Sequence, residues 1–283
     1  MVVLILIFNQ LTHPNSRIQT DKGCRKQSRG TKDQLLIDKM VMRDAKAKRR
    51  CLSMGWIDYR KAYDMVPHSW LLEVMGMMGV AENVDGLMRG SMEKWKTVLT
   101  ANGEELGEVN IKRGIFQGDS LSPLLFVMIL IPLSILLREE DKRGYALGES
   151  GKRINHLLFM DDLKLYAKSD ADLDALVNLV KTYSSDICME FGLDKCAVVH
   201  MKQGKRVRSE GMELPSGEVM KEVDESGYKY LGVLQADQVK SKEMKEKIRV
   251  EYLRRVKLLA KSKLYAGHLN GWGERLGSWC SEV

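Results

Sequence analysis

The stretch Phe159-Met160-Asp161-Asp162 constrains this chain more than any other. It separates an apolar run, residues 154–160, from an alternating one in which Leu163, Leu165 and Ala167 share a face, because strand side chains at i and i+2 point the same way. The pattern predicts two strands joined at a tight turn with a pair of acids at its tip. Adjacent carboxylates repel, and beside buried strands they need a compensating charge, for which a divalent cation is the natural candidate. Asp is also common in solvated turns for conformational reasons, so the pair alone leaves both readings open.

A second acid gives the first a chemical context. The apolar segment 52–57 ends in Asp58, which opens Asp58-Tyr59-Arg60-Lys61-Ala62-Tyr63-Asp64. Taken singly, such an acid is the first solvated residue of a loop. Paired with Asp161 it fits nucleotidyl transfer, which uses two divalent ions about 3.5–4 Å apart, one lowering the pKa of the attacking hydroxyl and one steadying the leaving pyrophosphate. Mg²⁺ suits this work because it is held by one or two carboxylates plus water and substrate phosphates. Asp58 and Asp161 are the expected primary ligands, and Asp162, which points away from Asp161 in an extended turn, a secondary one. The third stretch is Arg113-Gly114-Ile115-Phe116-Gln117-Gly118-Asp119-Ser120-Leu121-Ser122-Pro123. Its glycines permit close backbone approach, and it runs into a helix N-terminus, which favours an anion; Asp119 and Ser120 also suit a plain capping loop.

Together the three stretches resemble the palm motifs of reverse transcriptases, most closely those of non-long-terminal-repeat retrotransposons. Asp58 with Tyr63 is similar to the first motif, residues 113–123 to the second, and Phe159 to Asp162 to the aromatic-x-Asp-Asp box. Gly192-Leu193-Asp194-Lys195 resembles the next motif, with Gly-Leu-Asp where the family usually has Asn before the lysine. Tyr230-Leu231-Gly232 resembles the primer grip, and Lys22-Gly23-Cys24-Arg25 through Thr31-Lys32-Asp33-Gln34 the fingers segment upstream. The resemblance spans roughly residues 20–260, in the family's order. It implies catalytic and metal-binding roles for Asp58, Asp161 and Asp162, with Lys195 as a general acid or charge stabiliser. It places Tyr63 under the sugar of the incoming nucleotide, where a bulky ring selects deoxynucleotides, and Arg113, Gln117 and Gly118 against nucleotide and template. The implied cofactor is Mg²⁺, two ions, with Mn²⁺ as an alternative; the implied partners are an RNA template, a DNA primer and deoxynucleoside triphosphates.

The expected fold is α+β: a right-hand polymerase palm, an antiparallel sheet backed by helices, with partial fingers and a truncated thumb. The implied segments are 1–52 (partial fingers), 53–236 (palm with interleaved fingers elements) and 237–283 (a basic thumb-like helix and tail). Along the chain, the sequence predicts helices from Thr31 or Asp33 to about 50, after Pro67, over 83–92, over 121–138, and from a Ser169 capping box to about 191. It predicts a hairpin around Asn102-Gly103, strands over 145–147, 197–201 and 228–234, a turn at 215–217, and a basic amphipathic helix with Met244, Ile248, Tyr252, Val256 and Leu259 on one face. Residues 9–30 read as loop, and Met1 to Phe8 as a short apolar segment without the basic flank of a signal peptide.

Charge is unevenly placed. Residues 21–50 and 240–263 each carry a surplus of +7, so the remainder, which contains the paired acids, carries −7 against a total of +7. Two basic regions around an acidic middle suit a polyanion held beside a metal centre, although each run taken singly also reads as a solvated helix face. The apolar run 121–137 contains Ser122, Pro123, Pro132 and Ser134 and reads as a buried core helix, with no membrane association. Five scattered cysteines without a C-x-x-C pair argue against a disulfide framework or a structural zinc module and for a reducing, intracellular setting, in nucleus or cytoplasm. Two further readings stay open at this stage: a catalytically inactive retrotransposon remnant that binds nucleic acid, and an RNA-directed RNA polymerase, against which Tyr63 argues.

Overall fold

A computed structural model describes residues 30–148, 151–239 and 241–261, with side chains in the last segment described over 244–258. The expectations for residues 1–29 and beyond 261, including the first half of the upstream fingers motif, Cys24 and Cys280, lie outside the described residues; the second half of that motif, Thr31 to Gln34, opens the first helix. The helices are α1 (Thr31–Ala47), α2 (His68–Met77), α3 (Glu82–Met92), α4 (Ser122–Glu139), α5 (Asp170–Asp186) and α6 (Ser241–Lys261). The strands are β1 (Leu52–Ile57), β2 (Lys96–Ala101), β3 (Glu104–Asn110), β4 (Tyr145–Ala146), β5 (Arg153–Ile154), β6 (His156–Phe159) and β7 (Asp162–Ala167). They continue with β8 (Ala197–Lys202), β9 (Lys205–Val207), β10 (Met212–Glu213), β11 (Val219–Glu222), β12 (Tyr228–Tyr230) and β13 (Val233–Gln235).

The central sheet runs β10-β11-β8-β1-β7-β6, with β9 pairing β8. Its middle pairs are antiparallel, as expected, and β11 joins β8 in parallel. Both faces are covered. Ile57, Leu163, Leu165, Ala167 and Val198 face a core built with α2, α3, α4 and α5. The alternate residues Trp56, Met54, Tyr166, Val199 and Met201 face a second core built with α1 and the segment around Tyr230. This two-sided burial explains why β1 is buried at every position rather than alternating with solvent.

Several elements form where the sequence places them. Asn102 and Gly103 both take positive φ, 53° and 85°, the backbone that closes a two-residue hairpin. The Ser169 Oγ accepts from the Asp172 amide at 3.2 Å and caps α5. α4 is long and apolar enough to cross a membrane by length and composition, yet two thirds of it is buried among the protein's own helices and sheet.

Others differ. α1 starts from Gly30 (φ 62°) without the side-chain cap expected of Thr31 or Asp33. α5 stops at Asp186, short of residue 191, because Cys188 turns left-handed at φ 54° and the Met189 amide closes back on Ser184 O at 2.7 Å. The single strand expected over 228–234 is a hairpin, β12–β13, since Leu231 and Gly232 adopt φ of 46° and 81°. On α6 the expected stripe is partly covered, with Met244 and Ile248 half-buried and Tyr252 and Val256 about a third exposed, while Val250, Leu253 and Leu258 off the stripe are more exposed. Among described cysteines, Cys51, Cys188 and Cys196 are free thiols.

On β6, buried His156 is held by Ser134 Oγ at Nε2 (2.8 Å) and Asn155 Oδ1 at Nδ1 (2.7 Å). Burial, with Arg138 nearby, pushes its pKa down to about 3. An unfolded imidazole titrates near 6.5, so between those values the unfolded chain binds a proton that the folded chain refuses. The stability that goes with a neutral His156 is complete above about pH 6.5 and is lost as pH falls toward 3. Urea unfolding is expected to show a loss of about 1.4 kcal/mol between pH 7.5 and 5.5 that His156→Gln lacks. Equal pH slopes in the two proteins would contradict this.

Candidate active site

The acids meet because of strand register. β1 and β7 pair antiparallel with Trp56 opposite Lys164 and Ile57 opposite Leu163, so one step further out Asp58 stands opposite Asp162. By the same alternation, Asp58 and Asp162 emerge on the face that carries Trp56 and Lys164. On its other side β1 pairs β8 with Trp56 opposite Ala197, which brings the Lys195 segment alongside Asp58. Between β6 and β7 the loop is two residues, Met160-Asp161, closed by the Phe159–Asp162 pair. Such loops need positive φ at their first position, and Met160 supplies it at 54°, a strained backbone for a side chain of its size.

Electrostatics record the convergence. Burial, then Asp161, then Asp58 push the Asp162 carboxyl up to about 6. Asp58 is also raised, first by burial, against the pull of Lys195 and with the push of Asp161. The compensation comes from Lys195, whose Nζ lies 3.6 Å from Asp58 Oδ1 with 64% of its side chain exposed. Solvent screening makes that pair weak. Three carboxylates from two remote segments thus share one region with one screened lysine.

That donor set, all hard oxygens whose negative charge is only partly relieved by Lys195, fits Mg²⁺ or Mn²⁺. Among the described residues no three His, Cys, Asp or Glu groups form a ready-made metal cage. Mg²⁺ does not need one, since one or two carboxylates suffice when water and substrate phosphates complete the shell.

The surrounding residues hold Asp58 in place. The Gly192 amide donates to Asp58 O at 2.8 Å, the Arg60 amide to Glu190 O at 2.9 Å, and Tyr59 bridges to Phe191. A Cβ on Gly192 would come 3.3 Å from Asp58 Oδ1, which gives a steric reason for glycine beside this acid. Cys196 Sγ sits 3.5 Å from the Asp58 amide, and burial raises its thiol to about 11, so it acts as an inert neighbour.

Tyr228 is a site residue that the sequence reading missed. It stacks on Trp56 with centroids 5.1 Å apart, and burial together with Asp58, Cys196 and Asp162 raises its hydroxyl pKa. The available signal was its i−2 spacing from Tyr230, which puts it at the same hairpin as the primer-grip match. Tyr230 itself is buried in the second core, and Leu231 and Gly232 form the hairpin turn.

Tyr63, Gln117, Gly118, Asp119 and Pro123 line an open cleft of roughly 570 Å³. The Tyr63 ring is half-buried and stacks nearly parallel on Phe126, 5.2 Å between centroids and 12° between planes. The loop is pinned by Gly114 N to Val66 O (2.7 Å) and Ile115 N to Tyr63 O (2.9 Å). Gly114 has φ 94°, and a Cβ there would press on the Asp64 backbone at 3.1 Å. Arg113 instead donates from Nη1 to Cys188 O at 3.1 Å, so it ties the loop to the end of α5 rather than lining the cleft.

The reverse transcriptase (RNA-dependent DNA polymerase) family pattern matches residues 3–234. A retrovirus-related Pol polyprotein from the type-1 retrotransposable element R2 of Popillia japonica is 30% identical over 150 residues, 53% of this chain and 21% of that protein. The counterpart from the type-2 element R2DM of Drosophila melanogaster is 28% identical over 213 residues, 72% of this chain and 19% of that one. The chain therefore spans about a fifth of the length of these relatives. In fold, it is similar to telomerase from Candida tropicalis in complex with a fragment of telomeric RNA, with TM-score 0.53 and 15% identity over 75% of this chain and 34% of that one. The chain belongs to the reverse transcriptase (RNA-dependent DNA polymerase) family.

Proposed function

We propose that this chain catalyses RNA-templated DNA synthesis: the 3′ hydroxyl of a primer attacks the α-phosphorus of a deoxynucleoside triphosphate and the bond to pyrophosphate breaks. The observation that carries the reading is the meeting of Asp58 with Asp161 and Asp162 at adjacent strand ends. Asp58 and Asp161 would hold divalent cations, with Asp162 assisting, and such ions would supply a lowered pKa for the attacking hydroxyl and neutralisation of charge on the leaving group. Lys195, exposed and beside Asp58, neutralises or protonates the departing pyrophosphate.

Tyr63 forms the floor of the nucleotide cleft, braced by Phe126, with Gln117 and Gly118 as its wall. A 2′-hydroxyl on the incoming sugar meets that ring. Tyr63→Ala is expected to raise ribonucleotide relative to deoxynucleotide incorporation at least about tenfold, the scale of a single-group pocket discrimination. Unchanged sugar selectivity would remove Tyr63 from the site, and a native preference for ribonucleotides would favour an RNA polymerase.

The test of the proposal is primer extension by the full chain on a primed RNA template with Mg²⁺ or Mn²⁺. Template-dependent incorporation of deoxynucleotides is expected. Salt-sensitive binding without incorporation would identify a non-catalytic nucleic-acid-binding protein instead.

A further inference from the structure

We propose that Phe116, braced by Trp95, is a stacking platform for an unpaired base of the template strand next to the nucleotide cleft; the strand's identity as template rests on the reading above. Phe116 stands between buried Ile115 and the cleft residues Gln117 and Gly118, and 46% of it is exposed. Ile115 and Gly114 anchor the loop to Tyr63 and Val66, which turns the Phe116 ring outward on a backbone with little freedom.

The ring is held from one side. Trp95 meets it edge-on, 4.7 Å between centroids and 63° between planes, and His68 meets Trp95 at 5.1 Å and 81°. His68 Nε2 bonds Gly114 O at 2.7 Å, so the three rings and the loop form a closed set of contacts. Trp95 also lies at the root of the exposed β2–β3 hairpin, where its carbonyl accepts from the Ile111 amide at 2.8 Å.

The charges around the pair suit a polyanion. Lys94 and Lys112 are exposed in the same two stretches, while Arg113 is tied to Cys188 O. The acids there are Glu93 and Asp119, and Asp119 Oδ1 accepts from the Leu121 amide at 3.0 Å. Lys96 is paired with Glu108. A rigid, half-exposed ring with cations in the same stretches of chain suits a single strand, because every base offers a π face and the phosphates meet the cations. The position fits the template base that follows the one being copied, since Phe116 precedes Gln117 directly at the rim of the cleft.

The experiment measures affinity of the full chain for two probes by fluorescence anisotropy: a blunt primer–template duplex, and the same duplex with a single-stranded RNA extension at the template 5′ end. Phe116→Ala is expected to weaken binding of the extended probe about 5- to 100-fold, the usual scale for losing one base stack, and to leave the blunt probe unchanged. Phe116→Trp should restore the native affinity. 2-Aminopurine placed in turn along the extension should be quenched at one position in the native protein and Phe116→Trp but not in Phe116→Ala. Native protein that gains nothing from the extension, or equal losses on both probes, would overturn the proposal. A Phe116→Ala chain with a lowered melting temperature and a Phe116→Trp chain of native stability but weak extended-probe binding would do so too, since Phe116 would then only brace the loop. Primer extension is scored separately: incorporation without Phe116-dependent binding overturns the platform alone, and Phe116-dependent binding without incorporation overturns catalysis alone.

Discussion

Asp58→Asn and Asp161→Asn are each expected to lower incorporation by about 10³-fold or more while primer–template affinity stays within about twofold. The size follows from what the two acids hold: stabilising a transition-state charge through a bound cation contributes several kcal/mol, and each 1.4 kcal/mol is a factor of ten. Asn keeps the shape of the side chain and removes its charge. Asp58, Asp161 and Asp162 repel one another, and Lys195 screens only part of that repulsion, so removing one charge is not expected to destabilise the fold. An inactive variant with native melting behaviour and native affinity therefore separates chemistry from structure. Loss of binding in step with loss of incorporation would mean that the acids support the fold instead.

The largest expected effect on stability lies beneath the same site. Lys164 and Asp38, both fully buried, form an ion pair at 2.6 Å that joins β7 to α1. Tyr166 donates to the same Asp38 oxygen at 2.7 Å, and the Lys164 ammonium lies 4.3 Å from the Trp56 ring centroid. Burial depresses the Lys164 pKa, opposed by Asp38. Removing one partner leaves a charge in an apolar core, which costs about 3–5 kcal/mol. Asp38→Ala is expected to lose that much in urea unfolding, and the double variant Asp38→Leu/Lys164→Met to recover most of it, since paired apolar replacements avoid the desolvation penalty. A loss below about 1 kcal/mol in Asp38→Ala would mean that water reaches Lys164 and the tie contributes little.

The sequence made the strands that carry the acids legible because their signals are local. An apolar run that ends at Asp58, an acid pair between two apolar segments, an Asn-Gly turn and a Ser169 cap each specify backbone geometry within a few residues. What it concealed depends on contacts across the chain. Lys164 alternates with Leu163 and Leu165, and nothing local in the sequence shows that α1 covers its face and that Asp38 neutralises it. Tyr228 reads as one residue of a continuous strand because Leu231 gives no sign of its left-handed backbone, and the resulting hairpin is what lays Tyr228 on Trp56 beside the acids. Gly192-Leu193-Asp194 reads as a departure from the family's Asn before the lysine, and only in three dimensions does Gly192 show its packing against Asp58. Arg113 sits in the right motif, but its guanidinium reaches the carbonyl of Cys188, a residue whose left-handed turn ends α5 early.

The most direct measurement is anomalous diffraction from crystals of the chain grown with Mn²⁺, a primer–template and a non-hydrolysable deoxynucleotide. The account predicts manganese within bonding distance of carboxylate oxygens from both Asp58 and Asp161. Manganese bound to only one of these acids, or held elsewhere while both remain bare, would contradict it.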